Sequence, residues 1–309
     1  MNNIFDVIII GSGPSGMSAA LNILRYGKKV LLLEKENIGG QISKSPKVEN
    51  LPSLKNISGI DFANNFFDQL LSLKINFKLE EVLELKKENN IFFIKTNLNN
   101  KYLSKAVVIA VGVSPRKINI ENEENLVGKG ISYCAICDGF FFKNKDVCVI
   151  GNGNTALQYT LFLSNYCKNV FLCILSEKIF ADLFLIEKIK NKNNVFVKKF
   201  FSIKKIIEDS EKKCLKEIKF LNLKSKLEES LKVQGLFIAI GQTPNNIIFK
   251  NFVLLENGFI IVDETMQTNT VGLYAVGDCI KKNVRQVTTA VNDGSIAAFF
   301  INKYLNNFN

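Results

Sequence analysis

Two thiols and a carboxylic acid stand together in Cys134-Ala135-Ile136-Cys137-Asp138-Gly139. Thiols separated by two residues can close into a small disulfide and reopen, and Asp138 follows the second one directly. This is local chemistry for dithiol–disulfide exchange. Half a zinc site has the same spacing. A structural zinc wants four ligands, however, and the chain has no second Cys-x-x-Cys and no histidine. The missing histidine also removes imidazole as a general base, which leaves Asp, Glu, Lys, Tyr, Cys or water to move protons. The other cysteines, Cys148, Cys167, Cys173, Cys214 and Cys279, lie mostly in apolar runs and read as core fillers.

A second kind of chemistry lies in Gly11-Ser12-Gly13-Pro14-Ser15-Gly16. The apolar run Phe5 to Ile10 before it predicts a buried strand, and Met17 to Tyr26 after it has helical spacing. Val30 to Leu33 predicts a second strand that ends in Glu34, about twenty residues beyond the glycines. Glycines let a backbone approach a pyrophosphate, the helix start offers free N–H groups, and Glu34 can accept ribose hydroxyls. The pattern restarts at Asp146 to Ile150, continues through Gly151-Asn152-Gly153-Asn154-Thr155-Ala156 and a helix from Leu157 to Asn165, and reaches a strand at Val170 to Leu175. A repeated unit of this kind predicts an α/β protein with two Rossmann-like nucleotide-binding domains.

Further elements follow the same logic. Gly39-Gly40-Gln41 and Val48 to Pro52 read as loops, and Ile60 to Leu73 as a helix. Ile91 to Lys95, Ala106 to Ala110, Phe237 to Gly241 and Leu273 to Asp278 read as strands or strand ends. Lys188 to Lys232, rich in Lys, Glu and Asn, reads as partly exposed strands and hairpins. Arg285-Gln286-Val287 opens a helix that runs to Tyr304.

Composition bounds the rest. The 309 residues suffice for two domains, and 47% hydrophobic with 22% charged residues describes an ordinary soluble chain. No apolar run approaches the ~18 residues that span a bilayer, and Met1 to Ile10 lacks a basic n-region, so neither a membrane span nor a signal peptide is read. Seven scattered cysteines suit a reducing cytosol. The net charge of +11 is spread over lysines in polar stretches. It reads as a solvated surface, or as a field that steers an acidic protein partner, rather than as a nucleic-acid or membrane site.

Taken together, Gly11, Gly13, Gly16 and Glu34, the Cys134–Gly139 stretch, the second glycine turn, Gly241-Gln242-Thr243-Pro244, Gly277-Asp278 and Arg285-Gln286 make the whole chain resemble a low-molecular-weight, bacterial-type thioredoxin reductase. The resemblance implies FAD in the first nucleotide unit. Its contacts would come from Gly11, Ser12, Gly13, Pro14, Ser15, Gly16 and Glu34, then Gly40, Gln41, Asn50, Val82 and Gly112. Gly277, Asp278, Arg285, Gln286 and Val287 would complete them. It implies three-layer ββα domains with the second inserted in the first: residues 1–114 and 245–309 as the FAD domain, and 115–244 as the domain carrying the cysteines. It further implies that Cys137 is nearer the flavin, that Cys134 attacks thioredoxin, that Asp138 is the general acid, and that the protein is a homodimer.

One segment departs from the family. NADPH-dependent members carry His-Arg-Arg-x-x-x-Arg-Ala after the second strand of the second unit, and its arginines clasp the adenosine 2′-phosphate. Here the matching residues are Ile174 to Ala181, with Leu175, Ser176 and Phe180 at the arginine positions. Leu, Ser and Phe cannot replace a bidentate guanidinium. Three readings of the electron donor remain: reduced ferredoxin, as in pyridine-nucleotide-independent relatives; NADPH or NADH held through unusual contacts such as Lys178; or a flavoprotein redox sensor without turnover.

Overall fold

The computed structural model describes residues 4–308 apart from 46, 47, 49, 55 and 56, so Glu49 of the expected loop lies outside the described residues. From the N-terminus the elements are β1 (Phe5–Ile10), α1 (Pro14–Arg25), β2 (Val30–Glu34), α2 (Gly59–Ser72), β3 (Asn76–Leu79), β4 (Val82–Glu88), β5 (Ile91–Thr96), β6 (Lys101–Ile109) and β7 (Val113–Pro115). Next come β8 (Ile131–Ser132), α3 (Ala135–Asp138), β9 (Asp146–Ile150), α4 (Asn154–Leu163), β10 (Asn169–Ile174), α5 (Leu183–Lys190) and β11 (Val195–Lys199). These are followed by β12 (Phe201–Glu208), β13 (Leu215–Asn222), β14 (Glu228–Lys232), β15 (Gly235–Ile238) and β16 (Gln242–Pro244). The return carries β17 (Leu255–Glu256), β18 (Phe259–Ile260), β19 (Leu273–Ala275) and α6 (Val287–Asn306). The chain divides into one unit of residues 1–114 and 243–309 and a second of 115–242. The return therefore falls at Gln242/Thr243, two residues before the boundary expected at 244/245.

In the first unit β3, β2, β1, β6 and β19 run parallel, and β5 and β4 add antiparallel strands to β6. Parallel strands covered on both faces need apolar side chains in both directions, which is why β1 and β2 read as unbroken apolar runs. Val7, Ile9, Val30 and Leu32 point to one face and pack with Met17, Ala20 and Ile23 of α1 and Ala297 and Ile301 of α6. The alternate residues Ile8, Ile10, Leu31 and Leu33 meet Leu85, Phe92 and Ile94 of the β4–β5 hairpin and Phe249. The period of two thus sorts one strand into two cores, and each large side chain so buried contributes about 1.5–3 kcal/mol relative to exposure.

The second unit repeats the plan. Its parallel sheet has the order β11-β10-β9-β15-β8. Val147, Val149, Val170 and Leu172 face Ala156, Leu157 and Leu163 of α4 and Ile189 of α5. Cys148, Ile150, Cys173 and Leu236 face the antiparallel meander β12-β13-β14 through Ile206, Ile218 and Phe220. The polar 188–232 stretch is strand-rich as expected, with one correction: α5 opens ahead of it and occupies it through Lys190. The unbroken apolar run Leu183 to Ile186 shows no helical spacing, and Leu183 and Phe184 are 78% and 63% exposed in the fold.

In the first unit α1 and α6 pack closely along their length. Ser18 Oγ donates to Val291 O at 2.6 Å, and Asn22 Nδ2 donates to Ser295 Oγ at 3.3 Å. Gly294 makes the approach possible, because a Cβ there would lie 2.3 Å from Ser15 O and 2.8 Å from Ala19 N. Both are backbone atoms of α1 and cannot rotate away. Gly294→Ala should therefore lower stability by about 2–3 kcal/mol, read as an earlier urea midpoint with unchanged slope. An unchanged midpoint would show that the helices are not locked at this distance.

Candidate active site

In the first unit the β1–α1 turn is built by backbone contact. Gly11 has φ +105°, and a Cβ on it would sit 2.4 Å from Ala110 O. On Gly16 a Cβ would lie 2.0 Å from Gly11 O. Neither position tolerates another residue. Gly13 is different: nothing stands within 4 Å of the space its Cβ would fill. That open space lies at the start of α1, where Pro14 is the first helical residue and the N–H groups of the first turn have no intrahelical partners. Gly40 closes from the other side, since its absent Cβ would be 3.5 Å from Gly13 Cα.

Glu34 sits beside this cradle at the end of β2. Its carboxylate accepts from Ser12 N (2.8 Å), Ser12 Oγ (2.9 Å) and Glu36 N (2.9 Å). Gln41 Nε2 donates to Val113 O at 3.1 Å, and Asn50 Nδ2 donates to Gln286 Oε1 at 2.8 Å. Gly112, at φ +60°, again borders open space. Gly277, at φ +80°, leaves no room for a side chain, because its Cβ would strike Ser15 Oγ at 2.3 Å. Arg285 fixes the loop that follows: Nε donates to Asp278 O and Nη2 to Ile280 O, both at 3.2 Å, and its guanidinium lies 4.2 Å from the Phe259 ring centre. Gln286 caps α6, and Val287 is its first residue. Val82, the first residue of β4, has its side chain in the core.

Two residues that sequence reasoning missed hold this corner. Asp293 is buried on α6, accepts Gly277 N at 3.1 Å and accepts Lys282 Nζ at 2.7 Å. It lies three residues after Ala290 and four before Ala297, on the buried face, so a carboxylate there was a readable signal. Asp278 Oδ1 is shielded from solvent with no hydrogen-bond partner, and Lys282 Nζ is 3.8 Å away. Burial raises the Asp278 pKa, against the lowering effect of Lys282 and Arg285. An open glycine cradle, an acid at the second strand end and a buried oxygen lacking a donor fit a dinucleotide such as FAD.

In the second unit Cys134 and Cys137 form a disulfide across the start of α3. Cys137 N donates to Cys134 Sγ at 3.2 Å. Both cysteines and Asp138 are half-buried, while Ile136 and Phe140 beside them are exposed. Gly139 lets this turn press on α4, since a Cβ would meet Leu163 Cδ2 at 2.8 Å. Ser132, a further residue missed in the sequence, donates to Asp138 Oδ2 at 2.6 Å and accepts Cys134 N at 3.0 Å. Tyr159 Oη donates to Tyr133 O at 3.3 Å, and its pKa is raised to about 12, first by burial and then by the Asp138 charge. Of the other cysteines, Cys148, Cys167, Cys173 and Cys279 are buried and Cys214 is half-buried. Burial raises the Cys167 pKa to about 11 and that of Cys279 to about 12, so these thiols stay protonated. Among the described residues no cluster of three His, Cys, Asp or Glu could hold a metal ion, and no helix is long and apolar enough to cross a membrane.

The second glycine turn carries its own strap. Phe180 N donates to Asn152 O at 2.8 Å, Asn152 Nδ2 donates to Ser176 Oγ at 3.1 Å, and Asp182 N donates to Asn154 Oδ1 at 2.9 Å. Leu175 and Phe180, at the arginine positions, are exposed. Arg116 is the one arginine in the sequence of this unit.

The profile of the pyridine nucleotide-disulphide oxidoreductases matches residues 5–294. The chain belongs to that family. It is therefore a disulfide oxidoreductase of an FAD-binding family. It is 36% identical over 309 residues to the thioredoxin reductase of Buchnera aphidicola subsp. Acyrthosiphon pisum, covering 97% of each chain. To the thioredoxin reductase of Ureaplasma parvum it is 36% identical over 304 residues, covering 98% of this chain and 97% of the relative. The crystal structure of thioredoxin reductase from Streptococcus pyogenes superposes with a TM-score of 0.93 at 30% identity, over 100% of both chains.

The Asp278 environment has a measurable consequence. Its folded pKa lies above the unfolded value, so the charged carboxylate destabilises the apoprotein at neutral pH. The penalty is relieved as pH falls through the folded pKa and vanishes below the unfolded one. Apo Asp278→Asn should thus melt at a higher temperature than the wild-type apoprotein at pH 7, with the gap closing on acidification. A lower melting temperature at every pH would contradict this.

Proposed function

We propose that the chain is an FAD-dependent thioredoxin-disulfide reductase that takes its electrons from reduced ferredoxin rather than from NADPH. The thioredoxin half rests on the Cys134–Cys137 disulfide with an acid hydrogen-bonded beside it. FAD would be held by the Gly11–Gly16 turn, Glu34 and the Gly277–Asp278 corner, and when bound it supplies a two-electron reservoir. Opening the cysteine pair consumes two electrons and two protons, and this reading gives Asp138 the donation of one proton. The Cys134 thiolate then attacks a disulfide sulfur of thioredoxin, the outgoing thioredoxin sulfur leaves as a thiolate, and a mixed disulfide forms. Cys137 attacks Cys134, restores the intramolecular bond and releases the second thioredoxin thiol. The exposed Ile136 and Phe140 give an apolar rim on which a protein disulfide can sit.

The donor half rests on one observation, the absence of any guanidinium where an adenosine 2′-phosphate would lie. Leu175, Ser176 and Phe180 supply no replacement. Each lost charge-assisted contact would cost about 1.5–3 kcal/mol, or about ten- to a hundred-fold in affinity. An acidic iron–sulfur protein would be drawn to a chain of charge +11. The second reading is NADPH or NADH held through Lys178. It is favoured by the intact second glycine turn, where Gly153 leaves open space apart from Phe180 O at 3.9 Å.

An anaerobic titration separates the two readings. Reduced ferredoxin should bleach the flavin absorbance within one turnover, and excess NADPH or NADH should not. Prompt bleaching by either nucleotide at ordinary concentrations would establish the second reading. Cys137→Ser should retain bound flavin and lose thioredoxin turnover by at least about a thousand-fold, as expected when the residue that forms the bond is removed. Near-normal turnover would remove the pair from the reaction.

A further inference from the structure

We infer that Ser132 is the positioning residue of the redox site, a hydroxyl switch that holds the Asp138 carboxyl against the Cys134 peptide in both of its protonation states. The inference rests on the reading above that Asp138 is the proton donor.

Ser132 is buried at the end of β8, on the central sheet of its unit, so its Cα is fixed by strand pairing with β15. Its Oγ lies 2.6 Å from Asp138 Oδ2, 3.0 Å from Cys134 N and 3.2 Å from Cys134 O. A hydroxyl has one proton to donate and two lone pairs to accept with. When Asp138 is ionised, Ser132 donates to Oδ2 and accepts the Cys134 N–H. When Asp138 is protonated, its O–H donates to Ser132 Oγ. The serine proton then turns to the Cys134 carbonyl, and the Cys134 N–H still donates to the other lone pair. The ionised state uses two of these three partners and the protonated state all three, and apart from the carboxyl proton only a hydroxyl rotation separates them.

Opening of the pair breaks the Cys134–Cys137 bond, and with the two electrons taken up each sulfur becomes a thiolate, one of which is protonated beside Asp138. That thiolate takes the Asp138 proton. The carboxylate left behind immediately receives the Ser132 hydrogen bond at Oδ2. The titratable groups around Asp138 do not compete for this proton. Tyr159 of α4 has its pKa raised to about 12, and Tyr133, which donates to Glu123 Oε1 at 2.8 Å, is pushed up by burial and then by Glu123. Both phenols stay neutral where a carboxylic acid titrates.

Removing the hydroxyl withdraws a donor from the ionised form and an acceptor from the neutral form. The charge-assisted bond is the stronger of the two, so the proton affinity of Asp138 should rise. The test uses the full-length flavoprotein, reduced with dithionite and mixed with oxidised thioredoxin, with single-turnover flavin reoxidation followed against pH. Ser132→Ala should move the carboxyl limb of the profile up by about one pH unit. Ser132→Thr should restore its position, whereas Ser132→Val, which keeps the shape of Thr without the hydroxyl, should reproduce the alanine shift. The Thr and Val pair keeps the comparison decisive if alanine perturbs folding. Coincident profiles for wild type, Thr and Val, with the limb still lost in Asp138→Asn, would overturn the switch alone. An Asp138→Asn profile identical to wild type would overturn the proton-donor reading beneath it.

Discussion

The first unit depends on backbone touching backbone at the C-terminal edge of its sheet. Three glycines mark the place: Gly11 against Ala110 O, Gly16 against Gly11 O, and Gly294 against Ser15 O. At each a Cβ would fall well inside van der Waals contact distance of a carbonyl oxygen, so no rotamer change could relieve it. These contacts set the start of α1 directly over β1 and bring α6 down on α1. The open cradle at Gly13, the Ser12–Glu34 hydrogen bonds and the Gly277–Asp278 corner all follow from where that helix begins. The open cradle is thus a by-product of close backbone packing, and its shape is set by atoms that cannot move independently.

What the amino-acid order revealed follows the same division. Strand–glycine–helix units are read by local periodicity, and β1, α1, β2, β9 and α4 were legible because their apolar runs and glycines are contiguous. The α6 start was legible at Gln286-Val287 for the same reason. The hidden features are those that depend on distant partners. The strands β3 and β4 are half-exposed edges of their sheet, with Lys and Glu at many positions, and their periodicity is correspondingly weak. α5 was hidden because its first four residues are all apolar and show no helical period. Ser132 precedes Asp138 by six residues, a spacing that belongs to neither a helix nor a strand, and only the turn after β8 brings the two together. Lys282 and Asp293 meet across eleven residues for a similar reason.

The electrostatics separate the two sites. Around Asp278 a carboxylate is kept half-buried beside Asp293 and against its own desolvation, with Lys282 shared between the two acids. A protein selected for stability alone would replace that corner with neutral groups. Around Asp138 the carboxyl is instead supplied with a hydroxyl and neighboured by the Tyr159 phenol, whose pKa is raised to about 12. One corner leaves a buried carboxylate oxygen without a hydrogen-bond donor, and the other holds its carboxyl through a strand-anchored serine.

The burial of Cys148, Cys167, Cys173 and Cys279 carries a consequence for the durability of the protein. Cys148 and Cys173 lie with their sulfurs 3.6 Å apart on neighbouring strands, inside a core that no external oxidant enters. While the fold is intact, the chain therefore behaves at these positions as if it had no thiols. Once it opens, five additional sulfurs join Cys134 and Cys137 in one pool, and mispaired bonds between them would block refolding. For a disulfide oxidoreductase, the tertiary structure acts as insulation that keeps four of the five other thiols out of exchange chemistry, and oxidative lifetime becomes a function of how rarely the core opens.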